Sequence, residues 1–135
     1  MNPPPRRRCR LKLTMPIADV LTEVGSLRRD QGAYTQATGL LEEGLALLRD
    51  TGERNHTSEL LLHLGETALM QGDDARARAW EEASLRLKRE FGGNSRGIAW
   101  PLINLGYIAL HASDLARARA CFTQSLALLQ GFDYH

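Results

Sequence analysis

Three glycines, Gly25, Gly65 and Gly106, recur at separations of 40 and 41 residues. A period of tens of residues settles the architecture before local propensity does, because each repeat must be one supersecondary unit stacked on its neighbours. Around the glycines stand LTEVGSLRRDQG, LLHLGETALMQG and LINLGYIALHAS. Each is followed by a second aligned stretch, AYTQATGLLEEGLALL, DDARARAWEEASLRLK and DLARARACFTQSLALL, in which Ala37, Ala77 and Ala118 coincide. Gly44, Ser84 and Ser125 coincide as well. Small residues thus return where a partner helix must come close.

Within both stretches the apolar residues follow helical spacing: Leu40, Leu41, Leu45 and Leu48 on one helix, Cys121, Phe122, Leu126 and Leu129 on another. The expected fold class is therefore all-α, an α-solenoid (superhelix) of three antiparallel helix pairs. Helices are expected at about 17–30, 34–50, 57–70, 74–91, 97–111 and 115–130. The repeats run over about 17–56, 57–96 and 97–135 of a single domain spanning 17–135. Turns inside the pairs fall at Gln31-Gly32, Gln71-Gly72 and Ala112-Ser113, where glycine suits the left-handed end of a helix and serine suits it less. Asn55, Thr57, Asn94 and Ser95 are candidate amino-terminal caps. Pro16 fits a first helical turn, whereas Pro101 either defines the first turn of the fifth helix or kinks it.

The net charge of +1 conceals an asymmetry: Arg6, Arg7, Arg8, Arg10 and Lys12 fall within residues 1–16, which contain no acid. That segment is expected as a basic, disordered tail, with too few aromatics to stack on nucleic-acid bases. The acid-rich remainder lacks the basic footprint of a nucleic-acid binder. No run approaches a membrane span, and Cys9 and Cys121 have no spacing partners for a zinc or redox site, so a cytoplasmic protein with reduced thiols is expected. GGNSRG at 92–97 lacks the strand and the Gly-Lys-Ser of a phosphate loop and reads as an inter-repeat turn. Glu81, Glu82 and Arg86 read as a solvated charged face, although Glu81 occupies the place that Phe122 holds in the third repeat.

Leu102, Leu105, Gly106, Ala118 and Phe122, with Gly25–Ala37 and Gly65–Ala77, resemble the signature of the tetratricopeptide family over roughly residues 17–130. Arg28, Ala68 and Ala109 replace that family's aromatic after the glycine, and the period exceeds its usual ~34 residues, overlapping the ~40–47 of HEAT and armadillo arrays. RGIAW, LINLGYIAL and SDLARARACFTQSLALL look like the longer repeats of bacterial LuxR-type and MalT-like regulators and related signalling ATPases. The resemblance implies a non-catalytic scaffold without cofactor, whose first helices line a concave groove for a protein or peptide. The residues so implicated are Arg29, Leu62, His63, Glu66, Met70, Trp100, Ile103, Asn104, Tyr107 and His111. Asn104 is most like the family's peptide-contacting asparagine. The same aliphatics also suit packing between helices. His63, Glu66 and His111 fall short of a metal site as a sequence pattern, and neither membrane nor specific nucleic acid is an expected partner. With no polar capping helix after the last pair, Phe122, Leu126 and Leu129 form an edge suited to a homo-oligomer.

Overall fold

The computed structural model describes residues 5–90 and 95–133, with side chains from 13–90 and 97–131. Six helices follow one another: α1 (Pro5–Asp30), α2 (Tyr34–Leu48), α3 (Arg54–Met70), α4 (Asp74–Glu90), α5 (Ser95–His111) and α6 (Leu115–Asp133). No strand occurs among the described residues. The chain divides into two compact units, Met1–Glu53 and Arg54–His135.

In the first unit α1 packs on α2. Gly25 lets them come close, since an added Cβ there would lie 2.9 Å from Leu41 Cδ2. Leu41 and Ala37 are fully buried beside it, and Leu48 is buried further along α2. The first helix, expected from about residue 17, begins earlier, within the segment expected as a tail: α1 is continuous from Pro5, with Pro16 inside it. Thr14 and Ala18, on either side of Pro16, are both buried, and the arginine- and leucine-rich segment before them has good helix propensity. The proline removes one backbone donor without ending the helix. The side chains of Arg6 to Lys12, Cys9 among them, lie outside the described residues.

In the second unit α3 pairs with α4 and α5 with α6, while α5 packs on both α4 and α3. Ala68, Ala77, Leu85, Leu102, Leu105, Ile108 and Cys121 make one core, and Leu69, Trp80, Ile98 and Leu128 pack against it. Trp80 takes the register of Leu40 and Cys121, as its place in the repeat implies. Pro101 is fully buried well inside α5, past the first turn.

The three intra-pair turns share one hydrogen-bond pattern. Ala33, Asp73 and Asp114 donate their N–H five residues back, to the carbonyls of Arg28, Ala68 and Ala109, each at 2.9 Å. Gly32, Gly72 and Ser113 occupy the left-handed position between, at φ 81°, 87° and 61°. This is the Schellman closure, and Ser113 is the non-glycine residue forced into it. Asp73 and Asp114 then cap α4 and α6, accepting from the backbone N–H of Arg76 and Arg117 at 3.2 Å. Asn55 and Thr57, proposed as caps, stand inside α3 instead, since that helix begins at Arg54. Asn94 and residues 92–94 of the expected inter-repeat turn lie outside the described residues.

Candidate functional site

The recurrent glycine of each pair meets the residue sixteen positions later: Leu41 at Gly25, Glu81 at Gly65, Phe122 at Gly106. The same backbone geometry therefore receives three different chemistries, and the last two shape the surface of the second unit. At Gly106 an added Cβ would stand 2.7 Å from Phe122 Cε1, so the missing side chain admits an aromatic ring. That ring in turn meets Tyr107 edge-on, with centroids 5.2 Å apart and planes at 74°. Phe122 is thereby half-buried within its own chain and buttresses Tyr107.

Tyr107 belongs to a stripe on α5 at helical spacing with Trp100, Ile103 and His111. Trp100 is 51% exposed and Tyr107 46%, with Leu110 exposed beside them and Ile103 half-buried. Adjacent α3 presents His63, Glu66 and Met70 at the same spacing; Met70 is exposed and the other two are half-buried. His63 Nδ1 lies 3.5 Å from Glu66 Oε1, and His111 Nδ1 lies 3.1 Å from Asp74 Oδ2. Each histidine thus has a carboxylate neighbour. Among the described residues no group of three or more His, Cys, Asp or Glu side chains is placed to hold a metal ion.

Two residues expected on the groove are turned inward. Leu62 is buried, at 6% exposure. Asn104 is buried too, and its Nδ2 donates to Glu81 Oε2 at 2.5 Å. Its amide joins α5 to α4, and its burial turns it away from the accessible stripe. Arg29 belongs to the first unit, where its Nε donates to Asp30 Oδ1 at 3.3 Å.

Glu81 overturns the expectation of a solvated face: it is 0% exposed. Its register with Leu41 and Phe122 was the signal, since that position always faces the glycine of the preceding helix. An added Cβ at Gly65 would collide with its carboxyl group. Burial pushes the Glu81 carboxyl up to about 9, against the opposing effect of the Asn104 hydrogen bond; Glu66 raises it further and Lys88 lowers it. The group is a neutral acid near neutral pH. Its Oε1 has no hydrogen-bond partner.

Lys88 is a second buried polar residue that charge patterning hides. It stands in register with Leu48 and Leu129, and its Nζ donates to Glu59 Oε1 at 2.6 Å. Ser84 below it donates to the Ser58 carbonyl at 2.8 Å. Small and polar contacts thus tie α4 to α3 along its length. Burial pushes the Cys121 thiol upward, which favours the inert thiol.

The chain was compared with known proteins at the levels of sequence and fold. The sequence model described as tetratricopeptide repeat matches residues 16–90, more than half of the chain. The fold is similar to the crystal structure of the TPR domain of Arabidopsis FLU, with a TM-score of 0.81 and 15% identity, over 87% of this chain and 98% of that one. It is also similar to BtubC (BKLC) from P. vanneervenii, at a TM-score of 0.77 and 20% identity; 87% of this chain is covered, but only 48% of that one. No curated protein matches significantly in sequence. Among the described residues no helix is long and apolar enough to cross a membrane. The repeat period, the glycine-centred helix pairs, the sequence match and the α-solenoid fold of the structural neighbours agree, and the chain belongs to the tetratricopeptide repeat family.

Proposed function

We propose that this chain is an interaction scaffold whose second unit holds a protein or peptide segment along the α3–α5 face. Tetratricopeptide domains serve in general as protein–protein interaction scaffolds. The observation that supports this particular surface is the aromatic and aliphatic stripe of Trp100, Ile103, Tyr107 and Met70, left accessible on two adjacent first helices. Trp and Tyr offer large contact area with few rotatable bonds, which is why such residues anchor binding surfaces. An amphipathic helix or extended segment with apolar anchors fits this chemistry, and Glu66, His63 and His111 supply polar contacts at its margin. A place in a bacterial regulatory system is the corresponding role, supported by the likeness of its repeats to those of LuxR-type and MalT-like regulators.

The test is capture of interacting proteins from the native host with Trp100→Ala/Tyr107→Ala beside the wild type. Because both side chains are about half exposed, helical content should persist while retention falls at least ten-fold. Equal retention by the double variant would remove the α3–α5 face from the proposal.

A second reading is self-association through α6, carried by Leu126. Its register equivalent in the preceding repeat, Leu85, is 8% exposed, whereas Leu126 is 55% exposed. This supports α6 as a bare edge; Phe122 contributes less to it, because its ring is committed to Gly106 and Tyr107.

A further inference from the structure

The α6 edge has a counterpart that the sequence pattern did not single out. Along α1, Leu13, Ile17, Val20 and Leu27 are all exposed, and half-buried Val24 completes a stripe at alternating spacings of four and three residues. The face toward α2 is a different one, centred on Ala18 and Gly25. Such a continuous apolar stripe on a helix is the pattern of a packing seam.

The repeat register identifies what that seam is built to meet. Ile17, Leu21, Val24 and Leu27 occupy the positions of Ile98, Leu102, Leu105 and Ile108 in α5. In α5 those residues join one core with Ala77, Trp80 and Leu85 of α4. Ile108 is 2% exposed, but its equivalent Leu27 is 60% exposed. The first helix of the chain therefore carries the receiving half of a repeat–repeat junction, and α6, with Leu126, carries the donating half. Charge permits the match: from Ala120 to Gly131 α6 has no charged residue, and neither does the α1 stripe.

We propose that a second copy of this chain covers these faces head to tail, α6 of one copy packing on α1 of the next as α4 packs on α5 within the chain. The inference rests on the self-association reading and deepens it by naming the complementary surface. The contact is heterologous, since the two faces differ, so each copy keeps one face free for a further copy.

The experiment uses the full chain, a variant with the α1 face blocked (Val20→Glu/Leu27→Glu) and one with the α6 face blocked (Leu126→Glu), analysed by multi-angle light scattering over a concentration series. All three positions are exposed, so circular dichroism should show unchanged helix in each. The wild type should grow in mass with concentration beyond a dimer. Each variant alone should remain monomeric, and a mixture of the two should form a one-to-one dimer, because one free α1 face and one free α6 face remain. A Leu126→Glu variant that still dimerises alone would show α1 meeting α1 and overturn the head-to-tail pairing while leaving self-association standing. A Val20→Glu/Leu27→Glu variant that self-associates as the wild type does would overturn the role of α1 and leave the α6 reading intact. A wild type that stays monomeric throughout would overturn both.

Discussion

Residue by residue, the positions facing the three recurrent glycines show how one scaffold carries different physics. Leu41 fills its place by apolar packing, Phe122 by a ring that also braces Tyr107, and Glu81 by a neutral carboxyl held to Asn104. The last has a pH signature. An acid whose folded value is about 9 against an ordinary 4.5 keeps its proton in the folded chain while the unfolded chain releases it. Its contribution is therefore fully present below pH 4.5 and is lost as pH rises toward 9, at about 1.4 kcal/mol per pH unit. Thermal unfolding of the wild type should fall progressively between pH 6 and 9. Glu81→Gln, an uncharged isostere that retains an acceptor for Asn104, should remove this component, so that the gap between the two melting curves widens with pH. Parallel curves would show that Glu81 is already ionised in the fold. Ser113 supplies a second residue-scale test. At φ 61° it bears the left-handed strain that Gly32 and Gly72 avoid at the equivalent turns. Ser113→Gly should stabilise by about 0.5–1 kcal/mol in urea denaturation, and a loss of stability would mean that its side chain contributes more than its backbone costs.

At the scale of elements, each helix pair is closed by a Schellman turn, and α4 and α6 are each started by an aspartate cap, whereas Ala33 gives α2 no side-chain cap. These local devices explain why the pairs form; polar contacts explain how α4 lies along α3. The Lys88 ammonium is almost enclosed, at 8% side-chain exposure, while Glu59 is 45% exposed. Loss of either partner should then cost unequally. Glu59→Gln strands a desolvated cation and should destabilise by about 1–3 kcal/mol, less than the ~3–5 kcal/mol of a broken fully buried pair because Glu59 is half in water. Lys88→Met removes the buried charge itself and should be near neutral, leaving only an accessible carboxylate. Urea midpoints of the two variants decide this, and equal losses would show that the ion pair, not the stranded charge, sets the energy. Pro16 and Pro101 belong to this scale also. Both stand inside helices, because one missing donor costs less than abandoning the burial on either side of each proline.

For the whole molecule, stacked helix pairs bury apolar faces against their neighbours, and this chain leaves such residues exposed on α1 and on α6. The α1 stripe was not singled out by the sequence pattern, because Ala18, Leu21 and Gly25 stand among the same apolar residues and spacing alone does not say which side a partner helix covers. Only the fold shows that α2 takes the Ala18–Gly25 side of α1 and leaves Val20 and Leu27 to solvent. The groove divides in the same way. Trp100, Tyr107 and Met70 remain accessible on their helices, but Asn104 and Leu62, indistinguishable from them by spacing, are consumed inside. What the sequence by itself determined is the set of features with short-range causes: three helix pairs, a 40- and 41-residue period, turns at Gly32, Gly72 and Ser113, and close helix contacts at three glycines. Periodicity and backbone sterics encode these within a few residues. What only the tertiary structure decided is which side of each helix is covered and by what, since burial depends on residues far away in the chain. Glu81 looks like one carboxylate in a solvated charged run until α3 and α5 close over it, and their closure makes it a neutral acid in the core.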